Sequence, residues 1–175
     1  MTRITKNTSS GAASSSFTSG IDSTYKLYIF RWHDVNPGTD GAILTINFST
    51  DGGSNYNMTK TTTFFTAEHN EADDSAALSY KAGNDLAQST SAQKITGTIA
   101  NDADASAAGE LFLFNPSSTT YVKHFYSRSA NLEAADFAQD QYIGGYVNST
   151  SDIDAVQFAI SAGVMDSVIT MYGVG

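Results

Sequence analysis

From residue 93 onward the chain reads "QKITGTIA", "GELFLFNP", "TTYVKHFYSR", "QYIGGYVN", "IDAVQFAIS" and "SVITMYGV", six strand-like segments recurring roughly every ten residues. Each is rich in β-branched and aromatic residues, and each is closed off by Gly, Pro, Asn, Asp or Ser. Segments of this length cannot bury an apolar face singly, and hardly any stretch carries helical periodicity. The pattern therefore predicts an all-β protein, an antiparallel β-sandwich that is jelly-roll-like.

The first half fits the same scheme. "STYKLYIFRWHDV" alternates Tyr25, Leu27 and Ile29 against Lys26, Tyr28 and Phe30, which predicts a long strand packed on both faces, followed by a turn at "NPGTDG". "AILTINFS" is a second strand. After it, "FSTDGGSNYN" matches the Asp-box pattern Ser-x-Asp-x-Gly-x-x-aromatic, with Ser49, Asp51, Gly53 and Tyr56 in the fixed places. Its physics is local: Asp51 can accept turn amides, the glycines permit positive φ, and Tyr56 can pack beneath. We read it as a structural turn, a hairpin clasp leading into "MTKTTTFFTA".

Two stretches break the rhythm. "TSSGAASSS", Thr8 to Ser16, is small, polar and aperiodic, which predicts a flexible N-terminal arm over residues 1–16 and a single sandwich domain over 17–175. Residues 68–92 have acids, alanines and Gly83 with little pattern, and are expected to form one long irregular loop, the natural place for a contact or ligand.

Composition narrows function by exclusion. A chain of 175 residues is the size of one domain. It has no cysteine, so disulfides, thiolate nucleophiles and cysteine metal sites are out. Its net charge is −9 with only nine scattered Lys and Arg, so nucleic acid is not an expected partner. No apolar run approaches the roughly eighteen residues that span a bilayer, so no membrane partner is expected and the chain reads as soluble with no signal peptide.

The search for chemistry ends the same way. The Asp-box is best known from the propellers of sialidases, but it occurs once, whereas a propeller repeats its blade motif. The three arginines, Arg3, Arg31 and Arg128, do not make the cluster such an enzyme uses for its substrate carboxylate. His33, His69 and His124 have no nucleophile elbow beside them. No pair of carboxylates stands out for glycoside hydrolysis, since Asp22, Asp34, Glu110 and Asp154 fall mostly at strand ends. No cofactor is expected, and the weak candidate for a metal is calcium at Glu68, Glu71, Asp73 and Asp74 in "EHNEADD". The rings of "RWHDV" and "FYSRS" could stack on sugars, although filling the interior is their commoner use. The expectation is a protein that is not an enzyme.

Several phrases, "FTSGIDSTYKLYIF", "DGAILTINFSTDGGSNY", "LFLFNPSSTTYVKHFY", "GGYVNSTSDIDAVQFAISAG" and "ITMYG", make the chain from about Phe17 to Gly173 resemble a family of small structural proteins of tailed bacteriophages, especially those of aquatic bacteria and cyanobacteria. The resemblance implies a β-sandwich virion protein, made in the host cytoplasm and displayed on the particle surface. It implies self-association, commonly as a homotrimer, and contact with other virion proteins such as the major capsid protein. A single body with a short arm and no shaft of repeats fits a capsid decoration, or cement, protein better than a tail fibre or spike tip. A glycan-binding receptor-recognition module is the alternative, and the arm is expected to order against the capsid on docking.

Overall fold

The computed structural model describes residues 1–175 and contains twelve β-strands and no helix. The larger sheet has the spatial order β1 (Thr2–Ala12), β12 (Met165–Val174), β3 (Leu27–Pro37), β8 (Ala107–Phe114), β9 (Lys123–Glu133), β10 (Phe137–Val147), β5 (Lys60–Asn70) and β6 (Ala76–Tyr80). The smaller has β2 (Ser14–Phe17), β11 (Ala155–Ile160), β4 (Leu44–Ser49) and β7 (Gln93–Lys94) in that order. Every pairing is antiparallel. The protein is thus the all-β antiparallel sandwich that the strand spacing predicts, and the chain passes repeatedly between the two sheets in jelly-roll fashion.

Period-two alternation decides which side chains face inward. Along β9, Lys123, Phe125, Ser127, Ser129 and Asn131 are buried, while His124, Tyr126, Arg128 and Ala130 point out. The core holds 26 buried apolar residues drawn from both sheets, among them the aromatic group Phe17, Phe30, Trp32 and Phe158. Most polar inner positions find partners, as burial demands, although Ser167 Oγ and Trp32 Nε1 have none. Asn131 Nδ2 donates to the Thr98 carbonyl at 2.8 Å, and Ser127 Oγ to the Glu110 carbonyl at 3.0 Å.

Residues 1–16 are not a flexible arm. β1 pairs with β12 along its length and β2 with β11, so these residues run along the large sheet, cross to the small one and belong to the sandwich. Just before the crossing, β1 bulges at Gly11, with φ near 63°, whose amide donates to Asp166 Oδ1 at 2.8 Å. A strand of Thr, Ser and Asn at a sheet edge needs ladder hydrogen bonds more than apolar alternation, which is why its composition reads as linker.

The expected loop over 68–92 is in part regular. β5 runs on to Asn70, a tight turn follows, and β6 returns along it with Phe65 opposite Tyr80 and His69 opposite Ala76. Only 81–92 stays irregular, and it is tied back to β5 by paired backbone bonds between Lys60 and Ser89.

The Asp-box turn forms as its local chemistry requires, but it is not a hairpin. β4 lies in the small sheet and β5 in the large one, so the turn carries the chain from one layer to the other. Ser49 Oγ donates to Asp51 Oδ1 at 2.7 Å and accepts the Asp51 and Gly53 amides, both at 3.1 Å. Asp51 also accepts the Asn55 amide at 2.9 Å and Asn55 Nδ2 at 2.7 Å. At position 53, φ is +83° and a Cβ would lie 2.7 Å from Tyr56 Oη, so the tyrosine does pack beneath a residue that must be glycine. Asp154, ahead of β11, caps the Gly52 amide at 3.0 Å and ties the turn to the small sheet.

These bonds, led by the Ser49 hydroxyl and the Asn55 side chain, lower the Asp51 carboxyl from 3.8 to about 2. A depressed folded pKa gives stability that is present above the unfolded value and is lost as pH falls through the folded one. Asp51→Asn is therefore expected to flatten the fall in stability between pH 4 and pH 2 in acid titrations followed by circular dichroism; an unchanged slope would remove Asp51 from that role.

Candidate functional site

The outer face of the large sheet carries an open groove and a smaller depression beside it. Its middle strands put small residues outward at one end, Ala108 on β8, Ala130 on β9, Ala138 on β10 and Ala67 on β5. Flanked by Arg31 and His33 on one side and by Leu78 of β6 on the other, they floor an open groove of about 1030 Å³.

Register then lays a row of larger side chains straight across the strands. Arg31 is opposite Glu110, Glu110 opposite Arg128, Arg128 opposite Tyr142, Tyr142 opposite Phe65 and Phe65 opposite Tyr80. Neighbours in the row interact as cross-strand pairs do. Arg31 Nε meets Glu110 Oε2 at 3.2 Å. Arg128 reaches diagonally to Asp140, with Nη2 at 2.7 Å from Oδ2 and Nε at 3.1 Å from Oδ1. Its guanidinium also lies 4.9 Å from the Tyr142 ring centre. The hydrogen bonds to Asp140, then that carboxylate's charge, push the already high arginine pKa further up, so this cation is permanent.

One step along the strands, a second row runs Ile29, Phe112, Tyr126, Gly144 and Thr63. Phe112 and Tyr126 stack with centroids 4.6 Å apart and planes at 19°, and Tyr142 and Phe65 stack at 5.0 Å and 8°. Where Gly144 interrupts the row there is a smaller depression of about 360 Å³, bounded by Thr63, Phe65, Tyr126 and Tyr142, with Glu110 and Arg128 on its rim.

Residues singled out from the sequence distribute unevenly over this surface. Tyr126 and Arg128 of "FYSRS" lie on it, whereas Trp32 of "RWHDV" is buried behind Gly109 and cannot stack on a ligand. Tyr28, Phe30 and Phe125 are likewise core, and Phe114 and Tyr121 are exposed at the β8–β9 end. Glu110, expected near a strand end, is mid-strand and central to the face.

The calcium candidates do not converge, and the structure has no group of three or more His, Asp or Glu poised to hold a metal. Glu68 faces Lys81 at 3.6 Å and Gln139 at 3.3 Å; Asp73 holds His69 at 3.1 Å, and Asp74 holds Asn70 at 2.7 Å. Glu71, whose amide donates to the Asp136 carbonyl at 3.0 Å, is exposed in the β5–β6 turn. The turn itself is organised by Asn70, whose Oδ1 accepts the Asp74 and Ser75 amides at 3.2 and 3.0 Å, ordinary Asx chemistry.

The face brings Glu110 and Asp140 into one groove, a juxtaposition that only register could reveal. Each is held by an arginine, so the two sit in matched settings, whereas two-carboxylate hydrolysis sets one acid and one base in contrasting ones. The arrangement suits binding: fixed donors and acceptors beside flat ring faces.

No protein-family model matches the chain, and no curated protein matches it. Among solved structures it is similar to a marine PL-14 alginate lyase from Aplysia kurodai at 9% identity, over 88% of this chain and 72% of that one, with a TM-score of 0.32. A likeness at that score carries no argument about what this chain does.

Proposed function

We propose that the protein is a non-catalytic structural component of a bacteriophage virion, a decoration protein on the outer surface of the head, assembled as a homotrimer on the major capsid protein. The sequence phrases that resemble phage structural proteins motivate the virion. Self-association rests on one observation, the unguarded edge at β6.

Sheet edges are ordinarily blunted by charge, proline or cover, because their free N–H and C=O groups recruit other strands. β6 is "AALSY", with no charged residue and no proline, at the outer limit of the large sheet. Leu78 and Tyr80 on it are 73% and 54% exposed. A second copy of the chain packing there would cover both the apolar side chains and the open ladder.

In light scattering of the purified protein, Leu78→Lys is expected to weaken self-association by roughly tenfold or more while leaving the circular dichroism spectrum unchanged. A wild-type protein that stays monomeric at high concentration would sink the assembly. Gold-labelled antibody on purified particles tests the location: label over the head supports decoration, and label confined to the tail would transfer the protein to a fibre or spike tip.

A further inference from the structure

We propose that the depression over Gly144 is a subsite for one ring of a neutral, hydroxyl-rich glycan. The inference is independent of the assembly reading, since it concerns the middle of the large sheet and not its β6 edge.

Packing does not ask for a glycine at position 144. It lies inside a strand, where glycine costs stability and often marks the close approach of a ligand. Its φ is not positive, and a Cβ there would meet nothing nearer than Thr63 Oγ1 at 3.7 Å. Its neighbour Gly145 contrasts with it: a Cβ there would fall 2.6 Å from the Thr61 carbonyl oxygen, so that glycine is required by the fold. What the missing side chain at 144 does is keep a slot open.

The walls of the slot have the chemistry of a sugar platform. Phe112 stacks on the β8 side of Tyr126, which leaves the other face of the tyrosine turned toward β10 and the vacant position opposite it. Thr63 stands across, two inter-strand spacings from Tyr126, about 9.6 Å. A flat pyranose ring can lie against the tyrosine face over the vacant position on the strand between them, placing its C–H groups on the π cloud. Tyr126 is 45% exposed, so the face is reachable.

The rim supplies a paired donor and acceptor. Arg128 uses Nε and Nη2 on Asp140, which leaves Nη1 without a protein partner, and Glu110 uses Oε2 on Arg31, which leaves Oε1. Adjacent on β8 and β9, the two groups can bond neighbouring hydroxyls of one sugar. Charge selects the class of glycan. Arg31 and Arg128 are neutralised by Glu110 and by Asp140 diagonally beside the row, so the rim has no surplus cation for a uronate or sulfate. The protein as a whole carries −9, which repels polyanions.

The test uses the full chain against immobilised dextran, mannan, galactan and alginate, read by biolayer interferometry. Binding to at least one of the three neutral polymers, and weaker or no binding to alginate, is the expected result. Gly144→Val should then bind about tenfold more weakly, with a melting temperature no lower than the parent's, and Tyr126→Ala should likewise bind about tenfold more weakly. Gly144→Ala, which fills less of the slot, serves as the conservative variant and should fall between. No binding to any neutral polymer, preference for alginate, or full binding by a folded Gly144→Val each overturns the proposal.

Discussion

Phe158→Ala is expected to lower stability by about 3–5 kcal/mol, the cost of emptying a large aromatic site that its surroundings cannot refill. Phe158 is fully buried on β11, the strand between β2 and β4 in the small sheet. Its ring contacts Phe17 at 6.1 Å, Phe30 at 5.6 Å and Trp32 at 5.7 Å between centroids, so it is one of the points where the small sheet grips the large one, Phe48 against Phe125 being another. With no disulfide anywhere, adhesion between the layers depends on this kind of contact. Urea unfolding should show the loss as a lower midpoint. Phe158→Leu, which keeps most of the volume, should lose less, and Val164→Ala on the exposed β11–β12 turn should stay within about 0.5 kcal/mol. A loss under about 1.5 kcal/mol for Phe158→Ala would mean that the layers are held elsewhere.

Phe158 also marks how far a sequence can be read. "IDAVQFAIS" is legible as a strand, because Val156, Phe158 and Ile160 alternate, and the same holds for β8, β9, β10 and β12. Nothing in that alternation says which sheet the strand joins. The Asp-box turn is the sharper instance: Ser49, Asp51, Gly53 and Tyr56 take the roles their chemistry dictates, but the same turn serves a hairpin or a crossing between layers. The exit direction is decided by where β5 finds partners, 60 and more residues downstream on β10. β1 was hidden for the opposite reason, since an edge strand of Ser and Thr carries no alternation to read. The outer face was hidden by register, because Glu110, Arg128, Tyr142 and Gly144 are unremarkable one by one and meaningful only in their rows.

Lys60→Met is expected to leave the protein as stable as the parent, or to stabilise it by up to about 3 kcal/mol near pH 7, although it removes a charged residue from the core. Lys60 begins β5 in phase with Thr62 and Phe64, so alternation turns it inward beside Val147, and it is fully buried. Its ammonium donates to Asn47 Oδ1 at 2.7 Å and to the Met58 carbonyl at 2.6 Å, both neutral acceptors, and no carboxylate neutralises it. Desolvation therefore dominates and lowers its pKa from 10.5 to about 8. The sign follows from which state holds the proton. Between about pH 8 and pH 10.5 the unfolded chain keeps it and the folded chain has released it, so stability rises with pH across that window. Below about pH 8 both states are charged and the fold bears the full penalty of a buried ammonium. Denaturant titrations at pH 7, 9 and 10.5 should thus show the parent gaining stability as pH rises, and Lys60→Met showing a clearly smaller gain, the remainder coming from Lys123, a second buried lysine whose pKa desolvation also lowers. Asn47 keeps a partner in the variant, because its Oδ1 also accepts the Phe48 amide at 2.9 Å and its Nδ2 still donates to the Tyr56 and Thr90 carbonyls. A Lys60→Met protein that loses several kcal/mol at pH 7 would reverse the conclusion: the two hydrogen bonds would then outweigh the desolvation, and Lys60 would be a clasp between the sheets.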